Sequence, residues 1–449
     1  MPSPTPDTIK TTDQPLNLRI TGGTQLSGSI NTRTSKNTAV CLLCAALLNK
    51  NTTTLKRVPH IEEVYRLIEV LESIGVIIEW HNGDLIIRPP QKLKLSEIDR
   101  DAAMRTRSII LFLGPLIHIT HSFTLPQAGG CKLGARTVQP HLYALEKLGV
   151  RIATTTDTYE ISRDTLTSGE IILYESGDTV TENALMAAAL IAGKTTIKYA
   201  SANYQVQDLC HFLQELGVKI EGIGSTTLTV HGIDNINTPV TYSISEDPID
   251  SMFLIATAIV TASEITITHV PLDFVELELF KLEKMGLRYT TSSEYTGENE
   301  HVRLADITIM PSDLTAPPDK IEARPYPGLN IDNLPFFAVI ATQADGQTLI
   351  HDWVYETRAI YYKELDKLGA ETILADPHRI YINGPTPLKP AEVICPPALR
   401  PAAIILIGML GAEGTSMLRN IYSINRGYED IVNRLNAIGA KIKILETGE

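Results

Sequence analysis

The sequence predicts a two-lobed α/β protein assembled from six β-α-β-α-β-β units, three to a lobe, and three observations lead there. First, the pattern Leu-x-x-(Leu/Ile/Met)-Gly-(Val/Ala/Leu) occurs six times, as LESIGV, LEKLGV, LQELGV, LEKMGL, LDKLGA and LNAIGA. Its glycines, at 75, 149, 217, 286, 369 and 439, are 74, 68, 69, 83 and 70 residues apart. Each copy closes an amphipathic run with a glycine and passes into a β-rich stretch, the signature of a helix ending in left-handed backbone before a strand. Second, a strand signal precedes each helix: TTTLKRV, SFTLP, TTIKYA, EITITHV, QTLIHDW and SMLRNIY. Third, most units carry another helix that is apolar on nearly every side, such as ENALMAAALIAG or PAAIILIGMLGA, and such helices belong in a core.

Units this short cannot bury both faces of their helices alone, so three packed around three gives two lobes with internal pseudo-threefold symmetry. The pattern is interrupted near Thr32–Ser35 and Tyr242–Asp247, which marks the crossings between lobes. The expected division is a disordered tail over 1–15, a discontinuous domain of 16–34 with 244–449, and an inserted domain of 35–243. At 449 residues two domains are expected, and 43% hydrophobic with 20% charged residues describes a globular chain. A net charge of −13 argues against a general nucleic-acid binder while leaving room for a local basic pocket. Met1 to Pro15 is polar without an apolar core, so it is not expected to act as a signal or transit peptide, and the longest apolar run, Ala402 to Gly411, is too short to span a bilayer, so no membrane partner is expected. The five cysteines have no framework spacing, which fits reduced thiols and a cytoplasmic protein. Cys41 and Cys44 form a C-x-x-C on one apolar helical face, which reads as packing rather than redox chemistry.

In chain order, several stretches carry chemistry. SKNTAV places Lys36 and Asn37 at the start of the first apolar helix, where unpaired N–H groups add to the attraction for an anion. MRTRSIILFLGPL offers Arg105 and Arg107. LPQAGGCKLGARTVQPHL is a glycine-rich loop with Cys131 between Gly130 and Lys132 and with Arg136 close by. Flanking cations favour the thiolate, the nucleophilic form. YPGLNIDNLPFF holds Asp332 ahead of an apolar helix, where an aspartate commonly caps. WVYETRAIYYKEL brings Arg358 with Glu356 beside it, PALRPAAIIL brings Arg400, and INRGYEDI brings Arg426. No His/Cys cluster has metal-ligand spacing, so no metal and no cofactor is expected.

Six such units with these motifs in this order resemble the enolpyruvyltransferase superfamily over nearly the whole chain, and within it the branch acting on UDP-N-acetylglucosamine in peptidoglycan synthesis. The resemblance implies two inside-out α/β barrels and transfer of the enolpyruvyl group of phosphoenolpyruvate to the 3-hydroxyl of UDP-N-acetylglucosamine, with release of phosphate. Lys36 would contact phosphoenolpyruvate and Asn37 the sugar. The loop matches the lid Pro-Gly-Gly-Cys-x-Ile-Gly-x-Arg with one residue inserted. Cys131 would then be the lid cysteine that adds to phosphoenolpyruvate and is alkylated by fosfomycin, and Arg136 would bridge phosphate and nucleotide sugar. The Met-Arg pair points to Arg105, while counting back from Gly114 points to Arg107. Asp332 would be the base for the attacking hydroxyl, and Arg358, Arg400 and Arg426 pocket cations. Thr137, Val138 and Val354 complete the substrate-binding set. Lys36, Arg136, Arg400 and Arg426, from separate units, are then explained by one anion site between the lobes. Departures cluster on the nucleotide side: Thr137-Val138-Gln139-Pro140-His141 replaces Pro-Val-Asp-Leu-His, Gly177-Asp178-Thr179-Val180-Thr181 replaces Ser-Val-Gly-Ala-Thr, and Ala398 replaces an aspartate. The acceptor therefore stays open between UDP-N-acetylglucosamine and another nucleotide such as UMP in secondary metabolism. A non-catalytic paralogue that binds a nucleotide sugar or a partner is the reading from a different class.

Overall fold

All six repeat glycines sit in left-handed backbone, with φ between 84° and 107°, in the computed structural model, which describes residues 16–127 and 138–446. Each follows a helix and precedes an edge strand, as Gly75 does between Glu62–Ser73 and Ile77–His81. An L side chain at such a φ is strained, so the glycine fixes the exit angle of the helix in every unit.

The described residues form six sheets, one to a unit. Five of the six repeat one order: a parallel edge strand, the strand after the buried helix, then two antiparallel strands. The third unit shows it within one stretch of chain. Glu170–Ile172 pairs in parallel with Gly193–Lys198, which pairs antiparallel with Thr227–Gly232, and that strand with Lys219–Glu221. The sheet of Ser122–Pro126, Thr158–Arg163 and Val150–Thr154 is antiparallel throughout. Three units borrow a strand from elsewhere in the chain. Val240–Ser243 supplies the parallel edge beside Thr53–Lys56, Ser27–Asn31 the edge beside Glu264–Pro271, and Asn17–Gly22 lies between Gly414–Arg419 and Lys441–Leu445.

Two apolar cores result. One gathers residues from Ala39 to Ile244 except Tyr204; the other takes Leu18 to Ile30 and Tyr204 together with Ile249 to Ile442. The second is built on three helices that pack pairwise, Pro248–Val260, Leu334–Ala341 and Leu399–Gly411, and Leu334–Ala341 is buried at every position. In the first core Lys36–Ala45 and Asp178–Ala189 play the same part. The sixth central helix is a tight turn, Arg107–Phe112, running into Leu113–Leu116. Gly114 is required there: a Cβ would stand 2.9 Å from the Asn183 carbonyl oxygen and from the Met186 Cβ. Cys41 and Cys44 are fully buried in their helix, and burial pushes both thiols up. The crossing segments lie side by side. The Ser35 N–H donates to the Ser245 carbonyl and the Asp247 N–H to the Arg33 carbonyl, each at 2.8 Å. Among the described residues no helix is long and apolar enough to cross a membrane.

Candidate active site

A cleft of about 640 Å³ opens at the seam between the two cores, lined from both sides. Five of the six central helices start against it: Lys36, Arg107, Asp178, Asp332 (just ahead of Leu334–Ala341) and Arg400 all line it. Helix starts carry partial positive charge and unpaired N–H groups, so their convergence favours an anion before any side chain is counted. Ser35 caps the first of them by accepting from the Thr38 N–H at 3.0 Å. The Asn37 side chain donates to the Tyr204 hydroxyl at 2.9 Å and to Gln205 Oε1 at 3.1 Å.

The cations are held in different ways. Arg358 is 1% exposed and anchored from behind: Nε lies 2.5 Å and Nη2 3.0 Å from the Asp352 carboxylate, Nη2 also donates to the Ile331 carbonyl at 2.7 Å, and the Tyr362 hydroxyl donates to Asp352 at 2.6 Å. Its Nη1 reaches to 3.7 Å from Asp332 Oδ1. Arg400 approaches Asp332 Oδ2 at 3.4 Å through Nη2 and donates to the Tyr428 hydroxyl at 3.1 Å through Nη1. Arg426 comes from the second core and meets Glu63 of the first, Nη2 at 2.7 Å and Nε at 3.2 Å from Oε2. Burial lowers the Lys36 ammonium from its ordinary value, with Arg400 and Arg426 adding to the fall and Glu63 and Asp332 opposing it.

The opposite wall is acidic. Asp178 accepts from the Ser201 hydroxyl at 2.5 Å and from Asn203 Nδ2 at 3.0 Å, and Glu175 lies beside it in the lining. Burial pushes Asp178 up and drives Glu182, one helical turn further along, to about 8, with Asp178 reinforcing the shift. Glu182 therefore stays protonated in the folded chain up to about pH 8, whereas an exposed glutamate ionises near 4.5. Between those values the folded state holds a proton that the unfolded state has lost, so stability is lost as pH rises through that window. Glu182→Gln removes the titration while keeping an acceptor for the Gln205 amide, which donates to Glu182 at 2.9 Å. Its stability relative to the natural chain is expected to rise between pH 5 and 8 by on the order of 3 kcal/mol and then level. Urea midpoints measured across that range check this, and parallel pH dependences would count against it.

Of the residues expected from sequence, Lys36, Asn37, Arg107, Asp332, Val354, Arg358, Arg400 and Arg426 line the cleft. Cys131, Arg136 and Thr137 lie outside the described residues. Arg107 answers the choice left open in its motif. Arg105 is exposed and absent from the lining because the helix Arg100–Arg105 ends on it and Thr106 turns extended, with φ −124° and ψ 141°. Val138 also lies outside the lining and precedes the helix Gln139–Glu146. Asn333, not Asp332, holds the cap position of Leu334–Ala341, and the Asp332 carboxylate meets the two arginines. Arg358 pairs closely with Asp352.

Two acids that hold the cleft cations, Glu63 in the lining and Asp352 buried behind Arg358, go unnamed in the sequence reading, though each leaves a signal. Glu63 shares a stripe with the buried Leu67 and Val70 at i+4 and i+7, a charge where the helix is otherwise apolar. Asp352 continues the alternation of Thr348 and Ile350, both fully buried, as a carboxylate on the core side of a strand.

Two lobes of three repeated β-α-β-α-β-β units, with a cationic cleft at the starts of their central helices, define an enolpyruvyl transferase. The chain belongs to that family, since the family model described as EPSP synthase (3-phosphoshikimate 1-carboxyvinyltransferase) matches residues 20–435. It is 35% identical to the UDP-N-acetylglucosamine 1-carboxyvinyltransferase of Bradyrhizobium diazoefficiens over 96% of this chain and 98% of that one. The enzyme of the same name from Treponema denticola is also 35% identical, over 95% of this chain and 99% of its own. Among solved structures, the enolpyruvyl transferase NikO from Streptomyces tendae shares the fold with a TM-score of 0.81 at 24% identity, covering 97% of this chain and 100% of that one. EPSP synthase from Acinetobacter baumannii does so with a TM-score of 0.73 at 17% identity, over 96% of this chain and 100% of its own.

Proposed function

We propose that the protein transfers the enolpyruvyl group of phosphoenolpyruvate to the 3-hydroxyl of UDP-N-acetylglucosamine and releases phosphate, the first committed step of peptidoglycan synthesis. The observation that carries this reading is the convergence of Lys36, Arg358, Arg400 and Arg426 with Asp332 on one cleft, from three units and both cores. The relatives of that name at 35% identity support it. The protein is taken to work in the cytoplasm, with residues 16–34 and 244–449 as one domain and 35–243 as the other, in keeping with the two cores.

Phosphoenolpyruvate carries about three negative charges near neutral pH. The lysine and arginines hold that charge and stabilise it as it moves to the leaving phosphate. In the addition step the Cys131 thiol gives its proton to C3, the sugar hydroxyl oxygen bonds to C2, and Asp332 takes the hydroxyl proton. In the elimination step the C2–O bond to phosphate breaks and C3 returns a proton, which restores the double bond. Arg136 is assigned to bridge phosphate and nucleotide sugar, and Asn37, Arg107, Thr137, Val138 and Val354 to substrate binding on the acceptor side. A second reading, transfer to a nucleotide such as UMP, rests on the altered nucleotide motif, whose Gly177, Asp178 and Thr179 stand in the lining.

Phosphate release is measured with phosphoenolpyruvate and UDP-N-acetylglucosamine, then with UMP. Release with the sugar nucleotide supports the first reading, and release with UMP alone supports the second. Binding without release from either points to a non-catalytic paralogue. Cys131→Ser is expected to abolish the covalent fosfomycin adduct seen by intact-mass measurement, and an adduct that survives removes the cysteine from the mechanism.

A further inference from the structure

Glu63 occupies a place in the cleft that the reaction as written leaves unused. It is 4% exposed, in the first turn of the helix Glu62–Ser73, and both of its oxygens are engaged. Thr106 and Ser108 donate to Oε1, the latter at 3.1 Å, and both belong to the same core. Oε2 takes the Arg426 guanidinium from the other core at 2.7 and 3.2 Å. The carboxylate is thus pinned by two hydroxyls and reaches across the seam to one of the cations assigned to phosphoenolpyruvate, with Lys36 in the same lining.

We propose that Glu63 is a positioning residue for phosphoenolpyruvate: its pinned carboxylate fixes the Arg426 guanidinium across the seam, in the same lining as Lys36. The inference rests on the assignment of these two cations to that substrate. A guanidinium held on one edge by a buried carboxylate loses rotamer freedom and presents its other edge in a set direction. For Lys36, burial is the largest influence and removes charge, while Glu63 is the strongest group opposing it. The other charged groups acting on Lys36 are Asp332 from the loop before Leu334–Ala341, Arg400 from Leu399–Gly411, and Arg426. Glu182 and Asp247 couple to it from the Asp178–Ala189 helix and the crossing segment. The two cations leave Glu63 below the usual carboxylate range despite its burial, with the Thr106 hydroxyl helping, so it is an anion at neutral pH.

The test compares the natural chain with Glu63→Gln, which keeps the shape and loses the charge, and with Glu63→Asp, which keeps the charge. The rate at which an activated ester acylates Lys36, followed by peptide mass spectrometry against pH, reads the amine directly and needs no turnover. In Glu63→Gln the midpoint is expected to move down by about one pH unit, and in Glu63→Asp it returns toward the natural value. With turnover, the alkaline limb of kcat/KM for phosphoenolpyruvate moves by the same amount, and KM for phosphoenolpyruvate rises about tenfold while KM for the acceptor holds. An unchanged calorimetric affinity for phosphoenolpyruvate in Glu63→Gln overturns the inference. A natural chain that releases no phosphate overturns the proposed function instead, and the calorimetric result still stands for or against Glu63.

Discussion

Asp332→Asn is expected to lower phosphate release by about two to four orders of magnitude, the range that removing a general base typically gives, with little change in thermal stability. The carboxylate is not part of the scaffold. Asn333 holds the cap position of the helix that follows, and the Asp332 backbone N–H donates to Asn330 Oδ1 at 2.9 Å, a bond that asparagine retains. Its side chain stands between the Arg358 and Arg400 guanidiniums at 3.7 and 3.4 Å, in the cleft, where a substrate hydroxyl can reach it. Asparagine keeps the volume and removes the lone pair that takes the proton. Phosphoenolpyruvate binding, measured by calorimetry, should hold or tighten, because one negative charge leaves a site built for an anion. Release within tenfold of the natural chain would sink the assignment of Asp332 as base.

The architecture was legible because it is repeated. One glycine motif, six strand signals and five all-apolar helices each find their place, since a helix that must end in left-handed backbone leaves a mark that needs no tertiary information. The sixth central helix was hidden by Gly114 and Pro115, which read as a break, whereas the glycine serves close contact with the Asp178–Ala189 helix. Within the site, cations at helix starts could be read because their sequence neighbours set them against an apolar run. The choice between Arg105 and Arg107 could not, because it turns on where a short helix stops, and helix ends are fixed by tertiary partners such as the Thr106 bond to Glu63. Acids that work from behind the cations were the least visible. Glu63 and Asp352 look like surface charges until the other core or the strand's inner face is placed against them.

Asp352→Asn should be the most destabilising single change near the cleft, by about 3–5 kcal/mol, the usual cost of leaving one member of a buried ion pair without its counter-charge. Asp352 is fully buried and accepts from both Arg358 and the Tyr362 hydroxyl, so its charge is the only full one that Arg358 meets at hydrogen-bond distance among the contacts described. Without it the guanidinium keeps the Ile331 carbonyl, the face of Tyr355, 4.3 Å away, and the Asp332 carboxylate at 3.7 Å, which is beyond hydrogen-bond distance and shared with Arg400. Hydrogen exchange of the helices Pro248–Val260 and Leu399–Gly411 in urea reports on this core separately from the other. A loss below about 1 kcal/mol would mean that water reaches Arg358 more freely than its 1% exposure indicates. Adding Arg358→Met removes the stranded cation and fills its place with an apolar side chain, so stability should partly return. Phosphate release should not return with it, because the cleft wall then lacks a charge it needs. That outcome separates the two parts Arg358 plays, as a packed member of the core and as a cation facing the substrate.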